Sequence, residues 1–336
     1  MPSIYIVGDY YSEEDETNKR PFSGTYGHIL RGILSQAGIP LSDVTLDAAF
    51  RLRPANGRLE SLLTNNRANS LPGYPPIKRG NYISADFALD LQRLHHRIDQ
   101  ARPNIIVPLG GLALLAIAKK RGIEKFRGSP LMSADNQFKV LPTWGPDSVV
   151  RQWNLRPIVF MDFCKIREEA KSPLLIRPRR IIHLNPTLAD IEAFYHEHIV
   201  PSPLLACDIE TKYNTITEVG FATSISRCLV IPFWKRAAAS GNYWKTAAEE
   251  KQAWDWVRRI LAEKKVIGQN FQYDMQYLSR TVGIPSPGFT GDTMLLHHSL
   301  QPELQKSLGF LGSIYTSEPS WKFMRTDHST LKKEDE

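Results

Sequence analysis

The stretch PLLACDIETKYNT, residues 203–215, is an apolar run that ends in two carboxylates, Asp208 and Glu210, with one residue between them. Along an extended strand, residues i and i+2 point to the same face. Two negative charges side by side at the end of a buried strand are costly unless cations share the site. Downstream, ITEVGFAT (216–223) and RCLVIPFW (227–234) alternate as a strand pair, and a helical pattern covers 246–263. KKVIGQN (264–270) leads into another helix near Asp274, and a strand (180–184) and helix (187–199) precede the acidic run. This half of the chain reads as mixed α/β.

The first half alternates in the same way. IYIVGD (4–9), TLDAAF (45–50), NIIVPLG (104–110) and FKVLPT (138–143) read as strands, separated by helical patterns at 26–38 and 86–103. Strands alternating with helices predict a parallel sheet covered on both faces. Segment 51–82, rich in Pro, Gly and Asn, reads as a long connection. Helical patterning breaks at KSPLLIRPRR (171–180), which sets the expected organisation: a first domain over 1–170, a linker over 171–180 and a second domain over 181–336.

The chain has 336 residues, enough for two ordinary domains. Its apolar runs fall well short of the roughly 20 residues needed to span a membrane. The N-terminus MPSIYIVGDYY is not patterned as a signal peptide, so no membrane association and a cytoplasmic location are expected. The three cysteines, Cys164, Cys207 and Cys228, are far apart and form no C-x-x-C pair, so neither zinc nor an iron–sulfur cluster is expected. The net charge is +7, with basic residues concentrated in RLRPANGR (51–58) and RPRR (177–180). Such an excess permits phosphate binding without demanding it.

Asp208 and Glu210 are followed, in IGQNFQYD (267–274), by Asn270 and Asp274 in N-x-x-x-D spacing, and then by DTMLLHHSLQPEL (292–304). This order resembles the 3′–5′ proofreading exonuclease domain of family A DNA polymerases, phage-type, within the wider DEDD superfamily. The resemblance implies an RNase H-like α/β fold and phosphodiester hydrolysis with two Mg²⁺ or Mn²⁺ ions. Asp208, Glu210 and Asp274 would be the catalytic, metal-holding carboxylates, and Asn270 would lie near the terminal nucleotide. Oxygen-only ligands suit those ions. Asp292 reads as a helix cap, and His297 and His298 as helix-surface or packing residues. The family's third motif, Tyr-x-x-x-Asp or His-x-x-x-Asp, is expected beyond this chain's end; Phe323-x-x-x-Asp327 has the spacing without the hydroxyl. The partners so implied are DNA 3′ ends and a DNA polymerase, as a separate subunit or as the rest of the same protein.

VGDYYSEEDETNKRPFSGTYGHILRGIL (7–34) resembles the first motif region of family 4-type uracil-DNA glycosylases, with RPNIIVPLGGLALLAIAKK (102–120) and LPTWGPDSVVR (141–151) matching its later segments. The resemblance implies a three-layer α/β/α domain, with Asp9 as the water-positioning acid and Phe22 as the aromatic that stacks flipped uracil. Several departures argue against that activity. The motif's second glycine is missing from GDYYS, Ala48 replaces the uracil-reading Asn, Gly145 replaces the motif His, and the cluster cysteines are absent. Lost polar groups mean lost base reading. DNA binding is what remains, with Arg51, Arg53, Arg58 and Arg151 expected to grip phosphates. Two other readings are a non-catalytic docking module and an active glycosylase.

Overall fold

The computed structural model describes residues 2–55, 59–77, 80–238 and 241–320. Arg58 and the Phe323-x-x-x-Asp327 spacing lie outside the described residues. The chain divides into two compact units, one of residues up to Ile176 together with Gly309 onward, the other Arg177–Leu308.

In the first unit the order is β1 (Ile4–Tyr10), α1 (Glu13–Asn18), α2 (Thr25–Gln36), β2 (Val44–Phe50) and a short pair, β3 (Leu63–Thr64) and β4 (Tyr82–Ile83). Then come α3 (Ala88–Ala101), β5 (Ile105–Leu109), α4 (Gly111–Ala118), α5 (Ile123–Phe126), β6 (Leu131–Met132), β7 (Lys139–Val140), α6 (Pro146–Arg151) and α7 (Arg156–Glu169). The main sheet runs β2-β1-β5-β7-β6, parallel except where β6 meets β7. Strand alternation sends Tyr5 and Val7 to one face, where α3 and α4 bring Leu91, Leu94, Ile98 and Leu112. Ile4 and Ile6 point to the other, where α2 and α7 bring Leu30, Ile33, Val159 and Phe163. The expected α/β/α layering follows from these two cores. Each fully buried aliphatic side chain contributes roughly 1.5–3 kcal/mol.

In the second unit β8 (Ile181–His183) and α8 (Leu188–Phe194) precede the meander β9 (Leu205–Lys212), β10 (Thr215–Ser224) and β11 (Arg227–Pro232). α9 (Ala247–Glu263), β12 (Val266–Gly268), α10 (Phe271–Val282), β13 (Phe289–Asp292) and α11 (Thr293–Leu300) follow. The sheet order is β13-β12-β9-β10-β11-β8, antiparallel across β9-β10-β11 and parallel outside them. Leu205, Cys207 and Ile209 of β9 enter a core with Val257, Ile260 and Phe271. A one-residue slip would bury Asp208 and Glu210 instead, so the apolar set fixes the register.

One expectation about organisation changes. The helix α12 (Leu308–Tyr315) was expected in the second domain, yet from Gly309 on it belongs to the first unit. The cause is local chemistry. Lys165 Nζ donates to the carbonyls of Ser313 and Thr316 at 2.5 Å each, and Arg127 lies over the Phe310 ring at 5.1 Å. Among the described residues no helix is long and apolar enough to cross a membrane.

Candidate active sites in the two units

β9 carries Asp208 and Glu210 on its open face, alternating with the buried Cys207 and Ile209. Across the ladder, Gly220 of β10 is opposite Asp208, and Glu218 is directly opposite Glu210. Like charges directly opposite are destabilising, so the β9–β10 face concentrates negative charge. Gly220 has no side chain there, leaving space beside Asp208. A groove of about 380 Å³ opens over this face, lined among others by Asp208, Glu210, Glu218, Gly220, Gln269 and Thr293. Glu218 and Gln269 were missed by motif spacing. The signal for Glu218 was a lone acid in the alternating run ITEVGFAT, visible only once the hairpin register is known.

Asp274 and Asn270 do not line that groove. Asp274, on α10, is almost fully buried, and its Oδ1 accepts the backbone N–H of Ile209 at 2.9 Å. Burial, then the neighbouring Asp208 and Asp292, push its carboxyl up to about 7. Asp274 thus braces β9 between the two groove acids through one carboxyl oxygen, close enough to Asp208 to feel its charge. Asn270 adopts a left-handed conformation (φ 57°) at the start of α10, and its N–H donates to Asp292 Oδ1 at 3.0 Å. Asp292 accepts Phe271 N and Met294 N as well, capping α11 as expected. His297 is buried within α11 and His298 is exposed.

Among the described residues there is no group of three or more His, Cys, Asp or Glu placed to hold a metal ion. The trio Asp208, Glu210 and Asp274 is not among such groups, and Asp274 Oδ1 is engaged by the Ile209 N–H. Of that trio, Asp208 and Glu210 face the groove, where Glu218 adds another carboxylate.

In the first unit, β1 and β5 end beside the N-terminus of α4. Asp9 keeps some exposure as a residue, but its carboxyl is turned in against α4, where Oδ1 accepts Ala113 N at 2.7 Å. The amides of Leu112 and Gly111 also reach it. Gly110 (φ 114°) is required at this point, since a Cβ there would lie 2.5 Å from the Asp9 carboxylate. Burial pushes the Asp9 carboxyl up to about 7 despite these donors, and the nearby Asp147 adds to the rise. Phe22 (φ 53°) is buried, its ring so close over Gly8 that a Cβ on Gly8 would lie 2.8 Å away. Ala48 is buried at the end of β2 and offers only backbone groups.

The three described arginines expected on phosphate all have carboxylate partners. Arg151 pairs with Asp147 at 2.7 Å, Arg53 with Glu13 at 2.9 Å and Arg51 with Asp47 at 3.4 Å. Fully buried Asp47 also takes Arg93 at 2.9 Å and Arg97 at 3.1 Å, together with the Tyr5 hydroxyl at 2.8 Å. Arg53–Glu13 and Arg151–Asp147 are thus surface pairs, whereas Arg51 is drawn into an internal network around Asp47. The acid inside the apolar run TLDAAF was the signal for it.

The sequence pattern of the Uracil DNA glycosylase superfamily matches residues 1–170. The chain belongs to that superfamily. It is similar to the Type-4 uracil-DNA glycosylase of Thermotoga maritima, 31% identical over 173 residues, covering 50% of this chain and 76% of that protein. The Type-4 uracil-DNA glycosylase of Sulfurisphaera tokodaii is 28% identical over 178 residues, covering 51% and 71%. Within this superfamily fold, Asp9, Phe22, Gly110 and Asp147 converge at the ends of the parallel strands, the usual place for ligand sites in open α/β sheets. Two solved structures are similar at low level. The EXD2 exonuclease domain soaked in Mn and GMP gives a TM-score of 0.27 at 15% identity, covering 40% of this chain and 68% of that one. The Aedes aegypti Nibbler EXO domain gives 0.34 at 9% identity, covering 46% and 77%. Those scores carry no argument about function.

Proposed function

We propose that this superfamily member is a DNA replication protein: the second unit is the 3′–5′ exonuclease part of a phage-type family A polymerase, and the first is a DNA-binding module without glycosylase activity. One observation carries the nuclease reading, the placing of Asp208, Glu210 and Glu218 on one groove-facing strand pair. Such charge density is tolerable where cations or phosphate-bound cations visit.

The divalent ion implied by the resemblance, Mg²⁺ or Mn²⁺, would be held in part by Asp208 and Glu210, and when bound supplies water activation and phosphate polarisation. The described donors form only a partial set, so the residues' own work is positioning. Asp274 fixes the height of β9 through Ile209, Gly220 leaves room for a sugar–phosphate beside Asp208, and Gln269 and Thr293 line the groove bonded to each other.

The non-glycosylase reading rests on the base-reading positions, and Asp9 adds to it by geometry alone, since its Oδ1 is taken by the Ala113 N–H of α4. Ala48 and Gly145 bring no base-reading side chain. A second reading, active uracil excision, is favoured by the similarity to the Thermotoga maritima protein and by the gathering of Asp9 and Asp147.

The test is a 3′-labelled single strand incubated with Mg²⁺ or Mn²⁺. Shortening that disappears in Asp208→Ala supports the nuclease. Release of free uracil from a uracil-containing strand, lost in Asp9→Ala, supports the second reading and ends the first for this unit. Intact DNA in both assays with ordinary binding leaves a non-catalytic docking module.

A further inference from the structure

β9 continues past the two groove acids. Lys212 is two residues beyond Glu210 on the same open face, roughly 7 Å farther along the strand. The strand then turns into β10 through two residues only, Tyr213 and Asn214, both left-handed (φ 50° and 62°). Two-residue hairpins want this geometry, and Asn or Gly supplies it most readily. Asn214 fits that preference, but Tyr213 does not. A bulky aromatic at positive φ carries strain, and here no core packing offsets it, because Tyr213 is 86% exposed.

The surroundings have a specific chemistry. Lys212 Nζ lies between two rings, 5.1 Å from the centroid of Tyr213 and 4.3 Å from that of Trp234. Lys235 and Arg236 follow Trp234 and are exposed, with Lys235 Nζ 5.9 Å from the Tyr243 ring. An exposed aromatic plane flanked by cations, on the same strand face as an acidic groove, matches the needs of a single nucleic-acid strand: a π-face for a base and cations for its phosphates. A protein partner would be met by a broader apolar patch than one ring, and duplex readout calls for an element that enters a groove.

We propose that the Lys212–Tyr213 hairpin tip, with Trp234, Lys235 and Arg236, is a stacking platform that receives single-stranded DNA leading to the Asp208–Glu210 groove. The placement rests on the nuclease reading, but the contact itself does not. The strain at Tyr213 is explained by the base it stacks, and the order acid, acid, lysine, aromatic along β9 sets the direction of the strand relative to its end.

The experiment uses the full chain in EDTA, so that cleavage plays no part. A short oligodeoxythymidine carrying 5-iodouracil near its 3′ end is photo-crosslinked and the attached peptide mapped. Adducts on the peptide containing Tyr213 are expected; adducts confined to other peptides overturn the proposal. In fluorescence anisotropy with the same strand, Tyr213→Ala weakens binding on the order of tenfold, whereas Tyr213→Phe leaves it unchanged. Equal affinities for wild type and Tyr213→Ala also overturn it. Tyr213→Asn is the folding control, since it relieves the turn: melting temperature holds or rises while binding falls. Absent exonuclease activity with a normal Tyr213 crosslink removes the nuclease reading and leaves the platform standing.

Discussion

Replacing Asp274 with Asn tests the electrostatic reading of the groove directly. Asn keeps an oxygen able to accept the Ile209 N–H, now at 2.9 Å, and removes only the titration. Burial, and then Asp208 and Asp292, push the native carboxyl from the ordinary 3.8 up to about 7. A carboxyl raised on folding binds its proton more tightly in the native state. Its stabilising contribution is therefore full below about pH 4 and is lost as pH rises through about 7. With those two values, the contribution at about pH 5 is roughly 3 kcal/mol and at about pH 8 close to zero. Wild type should thus gain roughly 3 kcal/mol relative to Asp274→Asn on acidification between those pH values, measured in EDTA. Urea unfolding with hydrogen-exchange protection of β9 peptides isolates the second unit. Parallel pH profiles for the two proteins would refute a buried, strongly coupled Asp274.

Four other outcomes are expected. Arg127→Met strands Asp162, which is fully buried 3.5 Å from Arg127, and should cost about 3–5 kcal/mol in urea unfolding, with Asp162→Leu added in the double variant recovering most of it. Gly110→Ala forces a left-handed Ala whose Cβ meets the Asp9 carboxylate; a loss of at least about 1 kcal/mol should show as a lower melting temperature. Glu218→Gln relieves the charge opposite Glu210 and should stabilise the second unit by about 0.2–1 kcal/mol, less at high salt. Lys165, lowered to about 8 mainly by burial, donates to the carbonyls of Ser313 and Thr316, so hydrogen exchange in α12 should speed up as pH rises through about 8, and Lys165→Met should show that faster exchange at neutral pH.

Short runs of β-branched or apolar residues and helix signals were strong enough to place most of the larger elements. IYIVGD, TLDAAF and NIIVPLG became β1, β2 and β5, and the 246–263 pattern became α9. The acids of β9 were equally legible, since i, i+2 spacing on a strand with a fixed apolar face leaves them nowhere else to point. Asp292 as a cap followed from its place before a helical run.

What the chain's order could not reveal was which charges meet. Arg51, Arg53 and Arg151 read as phosphate contacts, and the structure adds a carboxylate beside each, Asp47, Glu13 and Asp147, because pairing depends on distances that close only on folding. Motif spacing put Asp274 with Asp208 and Glu210, and only the fold shows that one of its oxygens holds the Ile209 amide while Asp208 acts on its charge. α12 looked like a continuation of the second domain until Arg127 and Lys165 gave its carbonyls and Phe310 ring a place in the first unit. Sequence by itself determined the strands, helices and the face carrying Asp208 and Glu210, because those depend on local geometry and apolar periodicity. Tertiary structure alone decided the partners of each charge, because Coulomb energy and desolvation are set by separation and burial, which no linear spacing contains.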